Sequence, residues 1–419
     1  MAKESLQKKV AVIGIGRVGL PLALTIASKN YFVFGVDRDI EKADIINKGK
    51  MPFIEHGAKA LLKKTKGKNF IATTDYSVVK QCSVIIITLG TPIDENMNPV
   101  FTQIESAIET MKPYLKRGQL LILRSTVSPG TTEYVASMIE EETDLKIGKN
   151  FYLAFCPERI SEGRSIEEIP KITQIVGGLD KKSTRIASEL FQSIGVKTLE
   201  TDAVSSELAK LFTNMYRYIN FAISNEFMVL AEKYKRDIYE IINLVNYGYP
   251  RGGLRSPGLT GGPCLFKDGF FLISDLPFGD LISASWKINE SIPVMLVNRV
   301  AEQMKLKGKR ATVLGLTFKA DIDDIRESLS FKVRKSLFRE RAIVTLHDPY
   351  IREYAYQEIE TDVYKAVKNA DLIFVATNHK EYKKLDIVKL KSLAKKECLV
   401  CDIWNVFNTN KITFKLKEL

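Results

Sequence analysis

The sequence predicts an α/β protein of two doubly wound, parallel-sheet domains joined by a long central helix. Three observations carry this prediction. Short apolar runs of strand length alternate with helix-length stretches near both ends of the chain, the pattern of a parallel sheet covered on both faces. A glycine-rich turn directly follows the first run, and a weaker version of it returns after residue 310. Between them, residues 204–234 keep Leu208, Leu211, Phe212, Met215, Ile219 and Ala222 at helical spacing.

At 419 residues the chain exceeds one ordinary core, and we place domains at 1–203, 204–300 and 301–419. With 45% hydrophobic and 27% charged residues it reads as a soluble globular protein. The net charge of +12 raises the question of an anionic partner. Its lysines are scattered in pairs such as Lys63-Lys64, Lys181-Lys182 and Lys395-Lys396, so we expect no nucleic-acid partner and only a minority share at a phosphate site. Five cysteines, an odd count without a signal peptide, predict reduced thiols and a cytoplasmic protein. Apolar runs such as Val84 to Leu89 fall short of the ~18 residues that span a bilayer, so no membrane segment is expected.

The first strand, Lys9 to Ile13, runs into Gly14-Ile15-Gly16-Arg17-Val18-Gly19 and then a helical stretch, Leu20 to Asn30. Strand, glycine turn and helix in this order are the fingerprint of a dinucleotide-binding, Rossmann-like unit. Gly14 serves the tight turn, Gly16 the approach of the pyrophosphate, and Gly19 the packing of helix on strand, with Arg17 and Val18 lining the same turn. The next strand, Tyr31 to Val36, ends in Asp37, 23 residues beyond Gly14. An acid there suits the adenosine ribose of NAD and repels the extra phosphate of NADP, although the adjoining Arg38 keeps NADP as a minor option. Later strands end in Thr88-Leu89-Gly90-Thr91-Pro92 and Arg124-Ser125-Thr126-Val127, where ligands collect in such sheets; Thr91 and Thr126 join the cofactor set.

On the central helix Lys210 and Asn214 are four apart and share a face, with Asn225-Glu226 further along. The helix could also offer an apolar stripe to a second subunit. Beyond it, Arg310 to Lys319 repeats strand and turn with Gly315 alone of the glycines, Ala342 to His347 ends in Asp348, and Leu372 to Ala376 precedes Thr377-Asn378-His379. We expect a second doubly wound domain that kept the fold and changed the ligand, with Lys319, Asp324 and Arg326 toward a cleft. Ahead of it lies Gly261-Gly262-Pro263-Cys264-Leu265-Phe266-Lys267-Asp268. Glycines open backbone conformations closed to other residues, and a nearby ammonium favours the nucleophilic thiolate, whereas a lone cysteine is by default a structural one.

With these parts in this order, the chain resembles the UDP-sugar 6-dehydrogenases, the family of UDP-glucose and UDP-N-acetylmannosamine dehydrogenases, over essentially its whole length. The matching segments are Gly14 to Pro21, Ser125-Thr126-Val127, Pro157-Glu158 with Glu162-Gly163, Lys210 with Asn214, Asn225-Glu226, Gly261 to Asp268, and Gly315 to Lys319 with Arg326. The resemblance implies NAD as cofactor and oxidation of a sugar C6 alcohol to the acid by two successive hydride transfers, for polysaccharide biosynthesis. It implies that Cys264 carries the intermediate as thiohemiacetal and then thioester. Lys210 and Asp268 would assist deprotonation of the alcohol, Lys210 with Asn214 would stabilise the oxyanion, and Glu158, helped by Thr126, would activate the hydrolytic water. Glu158, Arg159, Lys210, Asn214, Arg251, Gly261, Lys267 and Lys319 would meet the substrate, Lys267 and Lys319 at the sugar or the UDP phosphates, and Arg326 would sit on the cofactor side. Arg251 would reach the neighbouring subunit's site, which implies a homodimer. Cys156, Cys398 and Cys401 have no role in the pattern, and Cys82, at a strand start, is expected in the core.

Departures bear on the sugar. The glucose branch usually reads Gly-Gly-Ser-Cys-Phe-Pro-Lys-Asp and the N-acetylmannosamine branch Gly-Gly-His-Cys followed by isoleucine and proline; Pro263 and Leu265-Phe266 side with neither. Arg159 after Glu158, and Val176-Gly177-Gly178, lean toward a UDP-N-acetylhexosamine, ManNAc or GlcNAc, with UDP-glucose as the alternative. Two rivals stand further off. A one-step NAD-dependent hydroxyacid dehydrogenase needs neither the cysteine nor the second domain, and a non-catalytic NAD- or nucleic-acid-binding protein leaves the catalytic residue types idle.

Overall fold

A computed structural model describes residues 8–273, 276–355 and 357–419. The chain forms two compact units, Met1–Thr213 with Phe270–Asp275, and Asn214–Gly269 with Leu276–Leu419. The central helix, Ala203–Lys233, gives its first part to one unit and the remainder to the other.

The first unit is built on eight strands: β1 (Lys9–Ile13), β2 (Phe32–Val36), β3 (Phe70–Thr73), β4 (Val84–Ile87), β5 (Leu120–Leu123), β6 (Tyr152–Phe155), β7 (Gln174–Gly178) and β8 (Thr198–Asp202). Their order is β3-β2-β1-β4-β5-β6-β7-β8, parallel throughout except for the β6–β7 pair. Strands β4 and β5 are continuous apolar runs, buried at every residue, as two-sided burial requires. Alternate side chains feed two separate cores: Val10, Val12, Ile86 and Ile122 point to one, and Ala11, Ile13, Ile85, Ile87, Leu121 and Leu123 to the other. β1 pairs with β2 on one side and β4 on the other. The chain therefore reverses its winding there, and it is beyond the carboxyl ends of the strands at such a point that ligands bind in sheets of this kind.

The second unit repeats the plan. Its strands are β9 (Arg310–Leu314), β10 (Ile343–His347), a short hairpin of β11 (Glu353–Tyr354) and β12 (Gln357–Glu358), β13 (Leu372–Val375), β14 (Leu399–Asp402) and β15 (Thr413–Lys415). The main sheet runs β10-β9-β13-β14-β15, with only β15 antiparallel to its neighbour. β9 lies between β10 and β13, a second switch point.

The expected class of two doubly wound sheets and a long helix is what folds; the boundaries differ in detail. The helix expected over Leu20 to Asn30 spans Gly19–Ala27, because Asn30 turns into the left-handed region at φ 66° and ends it. Cys82 follows a 3-10 turn, Tyr76–Gln81, two residues ahead of β4 instead of starting it, and is buried as expected.

Candidate active site

In the first unit the three fingerprint glycines do separable work. Gly14 takes φ +89°, and its N–H reaches Val36 O at 2.7 Å, which turns the chain at the end of β1. A Cβ at Gly19 would stand 2.0 Å from Gly14 O and 2.4 Å from Thr88 Oγ1, so only glycine lets the helix close on the turn. A Cβ at Gly16 would meet nothing within 4 Å, which leaves the space that a pyrophosphate requires. No side chain caps the helix Gly19–Ala27, so its positive end remains open to an anion.

Asp37, at the end of β2, accepts the Ile15 N–H at 3.1 Å and the Lys42 ammonium at 3.0 Å. Lys42 was not foreseen, since a lysine on a following helix looks like ordinary surface; Arg38 is exposed. Thr91 Oγ1 donates to Thr126 O at 2.6 Å, joining the ends of the β4 and β5 segments. Beside them Ser125 Oγ is buried without a partner. Open space at Gly16, an uncapped helix end, an acid at the second strand and an orphaned hydroxyl fit a bound dinucleotide.

The loop after β6 is held in part by residues the sequence did not flag, Glu55 foremost. Buried Glu55 accepts the N–H groups of Gly163 (3.0 Å) and Ser165 (2.7 Å) and the Ser165 hydroxyl (2.9 Å), and burial pushes its carboxyl up against the pull of those bonds. Arg17 pairs with Glu162 at 2.8 Å and lies over the Phe53 ring. Glu158 is clamped by the Arg124 guanidinium, and Lys210 Nζ donates to the Glu158 carbonyl. Arg159 donates to Thr173 O. One turn before Lys210, fully buried Glu207 accepts the N–H groups of Gly130 (2.7 Å) and Thr132 (2.9 Å) and the Thr132 hydroxyl (2.5 Å), which caps the helix Thr131–Glu142 from the central helix.

In the second unit Asp268 is fully buried between Asn214 Nδ2 (2.6 Å to Oδ2) and Lys267 Nζ (3.1 Å to Oδ1). Lys267 is itself largely buried, which makes it the counter-ion of Asp268 within the loop. The N–H groups of Lys267 and Asp268 both return to Cys264 O, at 3.1 and 3.0 Å, so the thiol and the carboxylate lie on one tight turn. Gly262 at φ +100° faces Phe318, whose ring would be 2.4 Å from a Cβ, and its N–H donates to Glu327 O at 2.9 Å. A Cβ at Gly261 would be 2.3 Å from the same Glu327 O. The start of the loop is anchored by Asn225, which accepts the Gly258 N–H (2.9 Å), donates to Gly258 O (3.1 Å) and meets Asn289 Oδ1 (2.9 Å). Trp404 covers Gly258 and leaves no room there for a side chain.

Burial distinguishes the thiols. It pushes Cys82, Cys156 and Cys398 up to about 12 and Cys401 well above the ordinary thiol value, while Cys264 is exposed. None of the five is in a disulfide.

The second switch point carries a closed version of the first. Gly315, φ +90°, donates to His347 O, and Asp348 accepts the Leu316 N–H at 2.7 Å, as Asp37 does from Ile15. Asp348, however, is fully buried and also takes the Tyr350 and Ile351 N–H groups and His379 Nε2; burial would raise its carboxyl, but these donors hold it below the usual range. No acceptor is left for a ribose. His379 Nδ1 accepts the Asp321 N–H at 2.9 Å while its Nε2 meets Asp348, so it is a structural node of this turn. Arg326 is half exposed and forks onto Asp324, Lys319 is partly buried, and Arg251 is exposed with its guanidinium on Tyr249.

The glycine turn of the first unit, and the exposed thiol and buried carboxylate that share one turn of the second, are the residue types a nicotinamide-dependent dehydrogenase uses. Family models describe the same division of labour: an NAD binding domain matches residues 8–195, a central domain 204–290, and a UDP binding domain 312–409. The chain belongs to the UDP-glucose/GDP-mannose dehydrogenase family and is an NAD-dependent nucleotide-sugar oxidoreductase. A UDP-N-acetyl-D-mannosamine dehydrogenase of Methanococcus aeolicus is 31% identical over 421 residues, covering 98% of this chain and 94% of its own. The solved UDP-D-ManNAc dehydrogenase of Pyrococcus horikoshii aligns with TM-score 0.86 and 33% identity over 92% of this chain and 93% of its own. A UDP-glucose dehydrogenase of Pyrobaculum islandicum aligns with TM-score 0.84 and 25% identity over 94% and 98%.

Proposed function

We propose that the protein oxidises C6 of UDP-N-acetyl-D-mannosamine to the uronic acid in two NAD-dependent steps, with Cys264 as the covalent carrier. Near-full-length similarity to enzymes of that substrate carries the choice of sugar. Fold likeness does not choose, since the UDP-glucose enzyme superposes almost as well; the higher sequence identity to the N-acetylmannosamine enzymes supports that sugar.

Gly14, Gly16, Arg17, Val18, Gly19 and Asp37 would hold NAD, with Arg38, Thr91, Thr126 and Arg326 at its margins. When bound, NAD supplies the hydride acceptor, one molecule for each oxidation. Asp268, oriented by Asn214 and Lys267, takes the C6 hydroxyl proton through a water, and the Lys210 ammonium with Asn214 stabilises the developing oxyanion. The Cys264 thiolate adds to the C6 aldehyde, the thiohemiacetal loses the second hydride, and the thioester is released by water activated at Glu158 with Thr126. Alcohol and water thereby become carboxylate, with two hydrides transferred and the thiol restored. Arg159, Gly261 and Lys319 contribute substrate contacts.

Assembly belongs to the same reading. From Tyr216 through Ile223, Phe227 and Leu230 the central helix bears an apolar face that Tyr234 extends just past its end, each residue between 38% and 68% exposed, which suits a homodimer seam. Arg251, on an exposed segment, would reach the partner's substrate site. Five reduced thiols fit a cytoplasmic location. Among the described residues no helix is long and apolar enough to cross a membrane.

The test is to follow NADH with a panel of UDP-sugars and count NADH per sugar consumed. Two NADH per UDP-N-acetyl-D-mannosamine is expected; a ratio of one overturns the two-step reading, and faster turnover of UDP-glucose overturns the choice of sugar.

A further inference from the structure

Arg124 stands at the end of β5, immediately before Ser125-Thr126, with its side chain 3% exposed. Its Nε and Nη2 lie 2.9 and 2.6 Å from the same oxygen of Glu158, Oε2. Nη1 donates to Gln174 Oε1 at 2.8 Å and to Cys156 O at 3.2 Å, and the guanidinium lies over the Phe191 ring. Gln174 completes the clamp by donating to Pro157 O at 3.0 Å. Three successive residues, Cys156, Pro157 and Glu158, are thus gripped from one side.

The two carboxylate oxygens are left unequal. Oε2 is filled by two N–H donors of Arg124, whereas among the described residues Oε1 takes only the Ile160 N–H at 2.7 Å, which leaves a second lone pair for water. Burying so strong a cation merely to hold a loop would be expensive, since a backbone loop needs neutral donors only.

We propose that Arg124, backed by Gln174, is a positioning residue for the hydrolytic half of the reaction. It locks Glu158 by Oε2 so that Oε1 receives the proton of the attacking water. The inference rests on Glu158 as the hydrolytic base. In the step it governs, water oxygen bonds to C6, the C6–sulfur bond breaks, the sulfur departs as the Cys264 thiolate, and the water proton passes to Oε1; no electrons are exchanged. Both hydride transfers precede this step, so loss of the clamp slows release and spares acylation.

The experiment uses the full chain with NAD and UDP-N-acetyl-D-mannosamine, comparing Arg124→Met, Arg124→Lys and Glu158→Gln by rapid NADH measurement and intact-protein mass. For Arg124→Met we expect a burst of two NADH per site, a uronyl adduct that disappears when Cys264→Ser is added, steady turnover down tenfold or more, and kcat/KM for the sugar unchanged within about twofold, so that KM falls with kcat. Arg124→Lys keeps the charge without the fork and is expected to fall between; should Arg124→Met fail to fold, this variant decides. Adduct in Glu158→Gln but in neither Arg124 variant overturns the positioning role while leaving the base in place. Normal hydrolysis by Glu158→Gln removes the base and the proposal with it. A purely structural role would lower burst and steady rate together, which also overturns the proposal.

Discussion

Cys264 differs from the other four thiols in one respect that matters for chemistry, which is access. Burial holds Cys82, Cys156, Cys398 and Cys401 protonated, and a protonated thiol is neither a nucleophile nor readily modified. Cys264→Ser is expected to bind NAD and UDP-sugar within a few-fold of the native protein by calorimetry and to lose turnover by at least about a hundredfold, because a hydroxyl is a far weaker nucleophile than a thiolate. Near-native turnover would assign the covalent step elsewhere. Lys267 carries a second prediction at this scale. Lys267→Met strips one of the two charge-bearing or amide partners from a fully buried carboxylate, which should cost about 1–3 kcal/mol in denaturant titration and lower kcat. Unchanged stability would mean that Asp268 is satisfied by Asn214 alone. The motif Lys-Asp was legible in the chain; that the lysine turns back on its neighbour was not, since adjacent residues face each other only when the backbone between them is tightly turned.

Among the elements, the two switch points show one device in two states. Glycine with positive φ, the N–H after it, and an acid at the end of the next strand recur at Gly14-Ile15-Asp37 and at Gly315-Leu316-Asp348. The first acid sits at an open glycine turn; the second is sealed by backbone donors and His379. The parallel was readable from strand ends and glycines, but the sealing was not, because Tyr350, Ile351 and His379 arrive from other segments. The neighbouring His347 gives a pH prediction. Burial holds it below the ordinary histidine value, with Nδ1 2.9 Å from the Tyr382 hydroxyl and Nε2 3.2 Å from Thr361 O. Unfolded, a histidine takes its proton near ~6.5; folded, this one resists to lower pH. In that window the unfolded chain binds more protons, so the contribution is whole above ~6.5 and is lost as pH falls through the folded value. Thermal midpoints should therefore decline from pH 7 toward 5, less steeply in His347→Gln. Identical slopes would place the acid sensitivity in other groups.

For the whole molecule, the apolar face of the central helix is the feature that a lone chain leaves unexplained. Tyr216, Ile223, Phe227, Leu230 and Tyr234 lie seven, four, three and four positions apart, one stripe on one face, and large apolar groups in a row are costly in water. The double substitution Phe227→Glu with Leu230→Glu should leave the fold intact by circular dichroism and yield a monomer by sedimentation, with catalysis falling if Arg251 serves the partner's site. A native dimer after this change would move the seam to another surface. What the sequence by itself determined were the two wound sheets, the long helix, the glycine turns and the residue types of the reaction. Strand burial, helical spacing and left-handed glycines are properties of short segments and survive in a linear text. Only the tertiary structure decided which groups hold those residues in place: Arg124 on Glu158 across 34 positions, Glu207 on Thr132 across 75, Glu55 on Gly163 across 108. Such contacts have no period and no motif, because their energy comes from a buried charge meeting donors that the folded chain, and nothing nearer in sequence, delivers.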